Sequence, residues 1–175
     1  MGKRYQVNRN MTKKNFLITG TCGAGKTTLV KELKKRQLNN VIVYDFDDCG
    51  VPEGADAAWR KQATNNWLKT LKDSNNKGYH TILCGGSVPV EVLACPEYEE
   101  SLNIHFGFIK VSDALVKKRL EERKWDEKLI QDNINWALYL ERDIKVQANH
   151  FLLDSTVNTP KQVAESTLDY MFHHF

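Results

Sequence analysis

No apolar run in this sequence is long enough to cross a membrane, and its amino terminus has no hydrophobic core of a secretory signal. These absences predict a cytoplasmic protein with no membrane partner. Its four cysteines, Cys22, Cys49, Cys84 and Cys95, form no C-x-x-C pair and no metal-ligand spacing. Reduced thiols are expected in place of a disulfide framework or a structural metal. A strong excess of one charge is missing too: 25 Lys and Arg against 22 Asp and Glu leave a net +3. So small and dispersed a surplus makes nucleic acid an unlikely partner. No repeat, low-complexity tract or linker divides the 175 residues, and with 41% hydrophobic and 27% charged residues the chain reads as one globular domain. Residues 1–14 stand apart. They carry Lys3, Arg4, Arg9, Lys13 and Lys14 with no acid, and a flexible basic leader is expected there.

Five short apolar runs alternate with longer helical patterns, which predicts an α/β domain over 15–175 with a mostly parallel sheet. The strands are expected at Asn15–Thr19, Val41–Phe46, Tyr79–Cys84, Ile104–Val111 and His150–Leu153. A helix is predicted from Thr28 to Arg36. Another is predicted from Ala57 to Asp73, on the four-residue rhythm of Trp59, Ala63, Trp67 and Leu71. Two more are expected over Ser112–Glu122 and Glu127–Gln147, and a last one opens on the capping box Thr159-Pro160-Lys161-Gln162. In the Glu127–Gln147 helix, Ile130, Ile134 and Leu138 read as a buried stripe that Arg142 continues, and a guanidinium in line with such a stripe either snorkels out to solvent or points into a polar cavity.

Gly20-Thr21-Cys22-Gly23-Ala24-Gly25-Lys26-Thr27 fits the phosphate-loop pattern G-x-x-x-x-G-K-[ST], after a predicted strand and before a predicted helix. Glycines let such a loop turn its N–H groups toward a polyphosphate, and the following helix, beginning at Thr28, adds its dipole. Lys26 would reach the β- and γ-phosphates and the Thr27 hydroxyl would serve Mg²⁺, so ATP and Mg²⁺ are the expected cofactors. Many ATPases of this loop carry a water-activating acid after a later central strand, but the third strand here runs into Gly85-Gly86. Carboxylates gather instead at the end of the second strand, in Asp45-Phe46-Asp47-Asp48. Strand alternation would set Asp45 and Asp47 on one side, at the sheet edge where ligands bind. One acid could order metal-bound water while the other takes a proton from an acceptor.

With the loop and the D-x-D in place, the chain resembles the small P-loop kinases, the group that includes shikimate, gluconate, adenylate and cytidylate kinases and antibiotic phosphotransferases. The likeness also draws on Gly85-Gly86, Arg119-Leu120-Glu121-Glu122-Arg123, Leu153-Asp154-Ser155-Thr156 and Thr159–Ala164, and covers nearly everything after residue 14. It implies a three-layer P-loop kinase fold with a five-stranded sheet and helices on both faces. It further implies that Asp45 holds metal water, that Asp47 holds an acceptor hydroxyl, and that Gly85 and Gly86 let substrate approach the backbone. Arg60 would grip a substrate anion, Arg119 would stack on adenine, Arg123 would close over the transferring phosphate from a short lid near 123–127, and Arg142 would contact phosphate or substrate.

Some features depart from the family pattern. Arg60 follows Asp47 by only thirteen residues, and Asp48 and the loop Cys49–Gly54 have no counterpart there. A second arginine for a monophosphate acceptor is missing from the substrate region. The resemblance therefore implies transfer of the γ-phosphoryl of ATP to a small-molecule hydroxyl or phosphate, by a monomer or homodimer, without choosing the acceptor. A regulatory ATP-binding protein that transfers no phosphate is the alternative.

Overall fold

In a computed structural model, residues 12–174 are described. Lys3, Arg4 and Arg9 of the basic leader lie outside the described residues; Lys13 and Lys14 lie within them. Five parallel strands, β1 (Asn15–Thr19), β2 (Val41–Asp45), β3 (His80–Cys84), β4 (Ile104–Lys110) and β5 (His150–Asp154), form one sheet in the order β2-β3-β1-β4-β5. The sheet reverses direction of growth at β1, so the crevice of an open α/β sheet falls at the carboxyl end of that strand.

Alternation along the strands divides the core. Phe16 and Ile18 of β1 join Ile82, Ile109 and Leu153 on one face, under α1 (Lys26–Lys34) and α6 (Pro160–His173). Leu17, Leu83 and Phe106 point the other way, under α2 (Ala57–Asn76), α3 (Pro89–Leu93) and α5 (Glu127–Lys145). Burial of each such aliphatic side chain is worth about 1.5–3 kcal/mol. α4 (Asp113–Glu121) packs Val116 and Leu120 on Ile130 of α5 in a smaller cluster. The caps are chemical: Asp56 accepts the Trp59 N–H at 2.8 Å, Asp126 accepts that of Leu129 at 2.8 Å, and Thr159 and Gln162 complete the expected capping box.

Several boundaries differ from the sequence reading. α1 starts at Lys26, two residues before Thr28, because Gly25 takes a left-handed conformation (φ 105°) and turns the loop directly into the helix. β2 stops at Asp45, since Phe46–Cys49 wind into a 3-10 turn. α2 runs on to Asn76, and Gly78 (φ 91°) ends the segment. The five-residue α3 falls in a stretch the sequence left unassigned. On α5 the buried side chains are Ile130, Asn133, Leu140 and Ile144, while Leu138 is 53% exposed. The stripe extrapolated from Ile130 through Leu138 to Arg142 is therefore corrected. A strict four-residue step drifts around a 3.6-residue helix and carries Arg142 to the exposed face. Among the described residues, no helix is long and apolar enough to cross a membrane.

Candidate active site

Residues 20–27 leave β1 at the central crevice. α1 has no side-chain cap and no acid in its first turn, which leaves the amide donors of that turn for an anion. Lys26 Nζ donates to the carbonyls of Gly20 at 2.7 Å and Thr21 at 2.9 Å. Burial lowers the pKa of Lys26, and Cys22, Asp47 and Asp45 oppose that shift. Positive φ at Gly23 and Gly25, free amide donors and a buried ammonium form a cradle whose chemistry fits a polyphosphate. Thr27 and Thr28 lie exposed at its mouth.

The second strand brings the acids. Asp45 Oδ1 accepts the Asp47 N–H at 3.2 Å and caps the 3-10 turn. Asp47 thus belongs to the turn, not to the strand, and the pleat does not align the pair as the sequence reading assumed. What the two carboxylates share is Lys26, with which both interact electrostatically. Partial burial, reinforced by Asp45, raises the Asp47 pKa above the ordinary carboxylate value, and Lys26 offsets part of the rise. Thr27 and Asp45 supply hard oxygen donors of the kind Mg²⁺ takes.

The paired glycines hold this turn in place. Gly85 donates its N–H to Ile18 O at 2.9 Å, and a Cβ there would lie 2.0 Å from the Phe46 Cβ. Gly86 faces the Phe46 ring and the Arg60 side chain. Arg60, in the first turn of α2, donates from Nε to Glu91 Oε2 at 2.8 Å and from its terminal nitrogen to Glu91 Oε1 at 2.6 Å. Trp67 is core, its indole N–H donating to Phe46 O at 3.0 Å, and Trp59 packs edge-on against Phe46.

Beyond the loop lies a cavity of about 260 Å³, lined among others by Ala24, Thr28, Arg119, Arg123, Asn158 and Pro160. Arg119 donates to Gly23 O at 2.6 Å, and Ser155 Oγ donates to Ala24 O at 3.1 Å, so both of its walls are tied to the phosphate loop. Arg119 and Arg123 therefore meet at one cavity. Arg123 belongs to the short connection between α4 and α5, where Lys124 has φ 62°. Arg142 is exposed and does not line this cavity.

Sequence reasoning missed Asn133, Glu91 and Trp136. Asn133 exchanges two hydrogen bonds with the Cys22 backbone. An asparagine on the apolar face of an amphipathic helix was the available signal for it. Glu91 sits on a helix too short to carry a period, and nothing in its sequence neighbourhood marked it.

A glycine cradle on a buried lysine, facing strand-end carboxylates across the switch point of a parallel sheet, defines a P-loop kinase fold. The AAA domain family model matches residues 17–140, and the chain belongs to that family. Similar solved structures include an unliganded sugar kinase from Janibacter sp. HTCC2649 (TM-score 0.62, 16% identity, 91% of this chain and 94% of that one). Shikimate kinase from Acinetobacter baumannii, in complex with shikimate, aligns with TM-score 0.61 at 14% identity over 93% of this chain and 95% of its own. Thymidylate kinase from Candida albicans gives 0.61 at 15% identity over 93% and 92%. At such identities these neighbours speak to the fold. That fold is the P-loop kinase fold the sequence resemblance implied.

Proposed function

We propose that this protein is a kinase that transfers the γ-phosphoryl of MgATP to a small-molecule hydroxyl or phosphate. The observation that carries the reading is the placement of Lys26, held on the Gly20 and Thr21 carbonyls of the phosphate loop, at the same carboxyl edge of the parallel sheet where β2 ends in Asp45 and turns into Asp47. Lys26 and the α1 amides bind the phosphates, and the cavity lined by Arg119 accepts the base. Thr27 and Asp45 would hold Mg²⁺, which draws off charge from the phosphates when bound.

Asp47 orients the acceptor and takes its proton; its raised pKa improves it as a base. Arg123 closes from the connection between α4 and α5, excludes water and balances charge on the transferring group. The outward position of Arg142 supports no contact with phosphate in this conformation. Gly85, Gly86 and Arg60 form the acceptor side.

The test is γ-labelled ATP incubated with a panel of nucleosides, nucleoside monophosphates, sugars and hydroxy acids, with labelled product separated from phosphate. One acceptor that becomes labelled and speeds ADP formation supports the reading. Tight ATP binding with no labelled acceptor would instead favour a nucleotide-binding switch.

A further inference from the structure

Arg60 lies against Gly86, and its charge is already matched by Glu91. Both bonds of the fork to Glu91 are short, and the two side chains are only 28% and 23% exposed. A bidentate pair of this kind presents a neutral surface with donors on one side and acceptors on the other. The pair adjoins the catalytic turn through a continuous set of contacts, from Arg60 to Gly86 and from Gly86 to Phe46, between Asp45 and Asp47.

The guanidinium also lies over a ring. Arg60 Cζ is 5.7 Å from the Trp136 ring centroid, and Trp136 stacks on Tyr139 at 4.9 Å with planes 16° apart. Trp136 and Tyr139 are 38% and 45% exposed, so an aromatic pair stands open to solvent beside the Arg60–Glu91 pair. Its position is fixed, because Asp143 one turn further along α5 accepts the Val90 N–H of α3 at 3.1 Å. Glu91 and Trp136 are thereby clamped relative to each other.

An anionic acceptor fits this surface poorly. It would meet the carboxylates of Asp45, Asp47 and Glu91, and Arg60, whose charge Glu91 already balances, would offer it donors without a net attraction. An uncharged ring fits it well, with its face on the aromatic pair and its hydroxyls divided between donor and acceptor groups. We propose that the acceptor is an uncharged, hydroxylated ring compound of the nucleoside or glycoside class, held by the Arg60–Glu91 pair and the Trp136–Tyr139 platform. This inference rests on the kinase reading. In the transfer, one acceptor hydroxyl gives its proton to the Asp47 carboxylate as its oxygen bonds to the γ-phosphorus. The bond from that phosphorus to the β-phosphate oxygen breaks, and ADP leaves.

The experiment compares uncharged nucleosides and glycosides with hydroxy acids and nucleoside monophosphates, by labelled product and, separately, by equilibrium binding of the same compounds without ATP. Uncharged compounds should be the ones bound and labelled. Trp136→Leu should raise their KM about tenfold with a smaller change in kcat, and Trp136→Phe should restore most of the affinity, since loss of a ring face is worth about 1–3 kcal/mol. Glu91→Gln should weaken uncharged acceptors and strengthen hydroxy acids by freeing Arg60. Melting temperatures of the variants establish that they fold. Preferred labelling of an anion overturns the inference and leaves the kinase reading standing. Saturable, Trp136-dependent nucleoside or glycoside binding without labelling upholds the subsite and overturns the kinase reading. Absence of binding by any uncharged compound overturns the subsite.

Discussion

Asn133 and Cys22 exchange two hydrogen bonds: the Cys22 N–H donates to Asn133 Oδ1 at 3.1 Å, and Asn133 Nδ2 donates to Cys22 O at 3.2 Å. One buried amide on α5 therefore sets the backbone of the phosphate loop, on the helix that directly follows the connection carrying Arg123. Asn133→Ala should weaken ATP binding about tenfold through the loss of two bonds worth about 0.5–1.5 kcal/mol each. Asn133→Asp keeps the acceptor, loses the donor and adds a negative charge near the phosphates, so it should weaken ATP further. Titration calorimetry with a non-hydrolysed ATP analogue measures both, and equal affinity in Asn133→Ala and the wild type would remove the tie from the account.

Cys22 is exposed within the loop that its backbone helps to shape. Alkylation of its thiol should block nucleotide binding by bulk. Cys49 is also exposed, so the comparison is wild type against Cys22→Ser after treatment with N-ethylmaleimide. Only the wild type should lose ATP affinity.

Gly85 has φ 152°, and any Cβ there would strike Phe46. Gly85→Ala should cost about 1–3 kcal/mol in urea unfolding, the range for forcing atoms into packed space. Because Phe46 lies between the two acids, kcat should fall as well. Unchanged stability would mean that the turn yields more easily than its contacts suggest.

His80 and His105 are buried in β3 and β4, and burial lowers both pKa values from 6.5 to about 4, with Lys13 and Lys14 adding to the shift at His80 and Lys14 and His174 at His105. His80 Nδ1 accepts the Lys14 N–H at 3.1 Å, and His105 Nδ1 lies 3.1 Å from the Tyr170 hydroxyl. A depressed histidine pKa means that the unfolded chain takes up the proton first as pH falls. Stability is therefore complete above about pH 6.5 and declines toward pH 4, by up to about 1.4 kcal/mol per pH unit for each group. Unfolding free energy should drop by about 2–3 kcal/mol for the pair between pH 7.5 and 5.5. His105→Phe should flatten the slope.

The strands were readable because β-rich runs such as Phe16-Leu17-Ile18 are buried on both faces, and helix starts were readable where Asp56, Ser112 or Thr159 supplied a cap. The phosphate loop was readable because its fixed residues are backbone requirements. The end of β2 shifted because the 3-10 turn that follows it depends on a tertiary contact, Phe46 seated on Gly85. The α5 stripe was carried too far, because a four-residue step drifts around a 3.6-residue helix and leaves Leu138 and Arg142 exposed. Glu91 and Trp136 were invisible because their meaning lies in Arg60, which is remote in sequence from both.

The most direct test of the central claim is the Asp47→Asn enzyme with a labelled acceptor. ATP affinity should stay near that of the wild type while kcat for transfer falls by about 10²–10⁴, the range for loss of a general base. Lys26→Ala in parallel should lose both, with the fold intact. Full transfer activity in Asp47→Asn would contradict the assignment of the acceptor site to this turn.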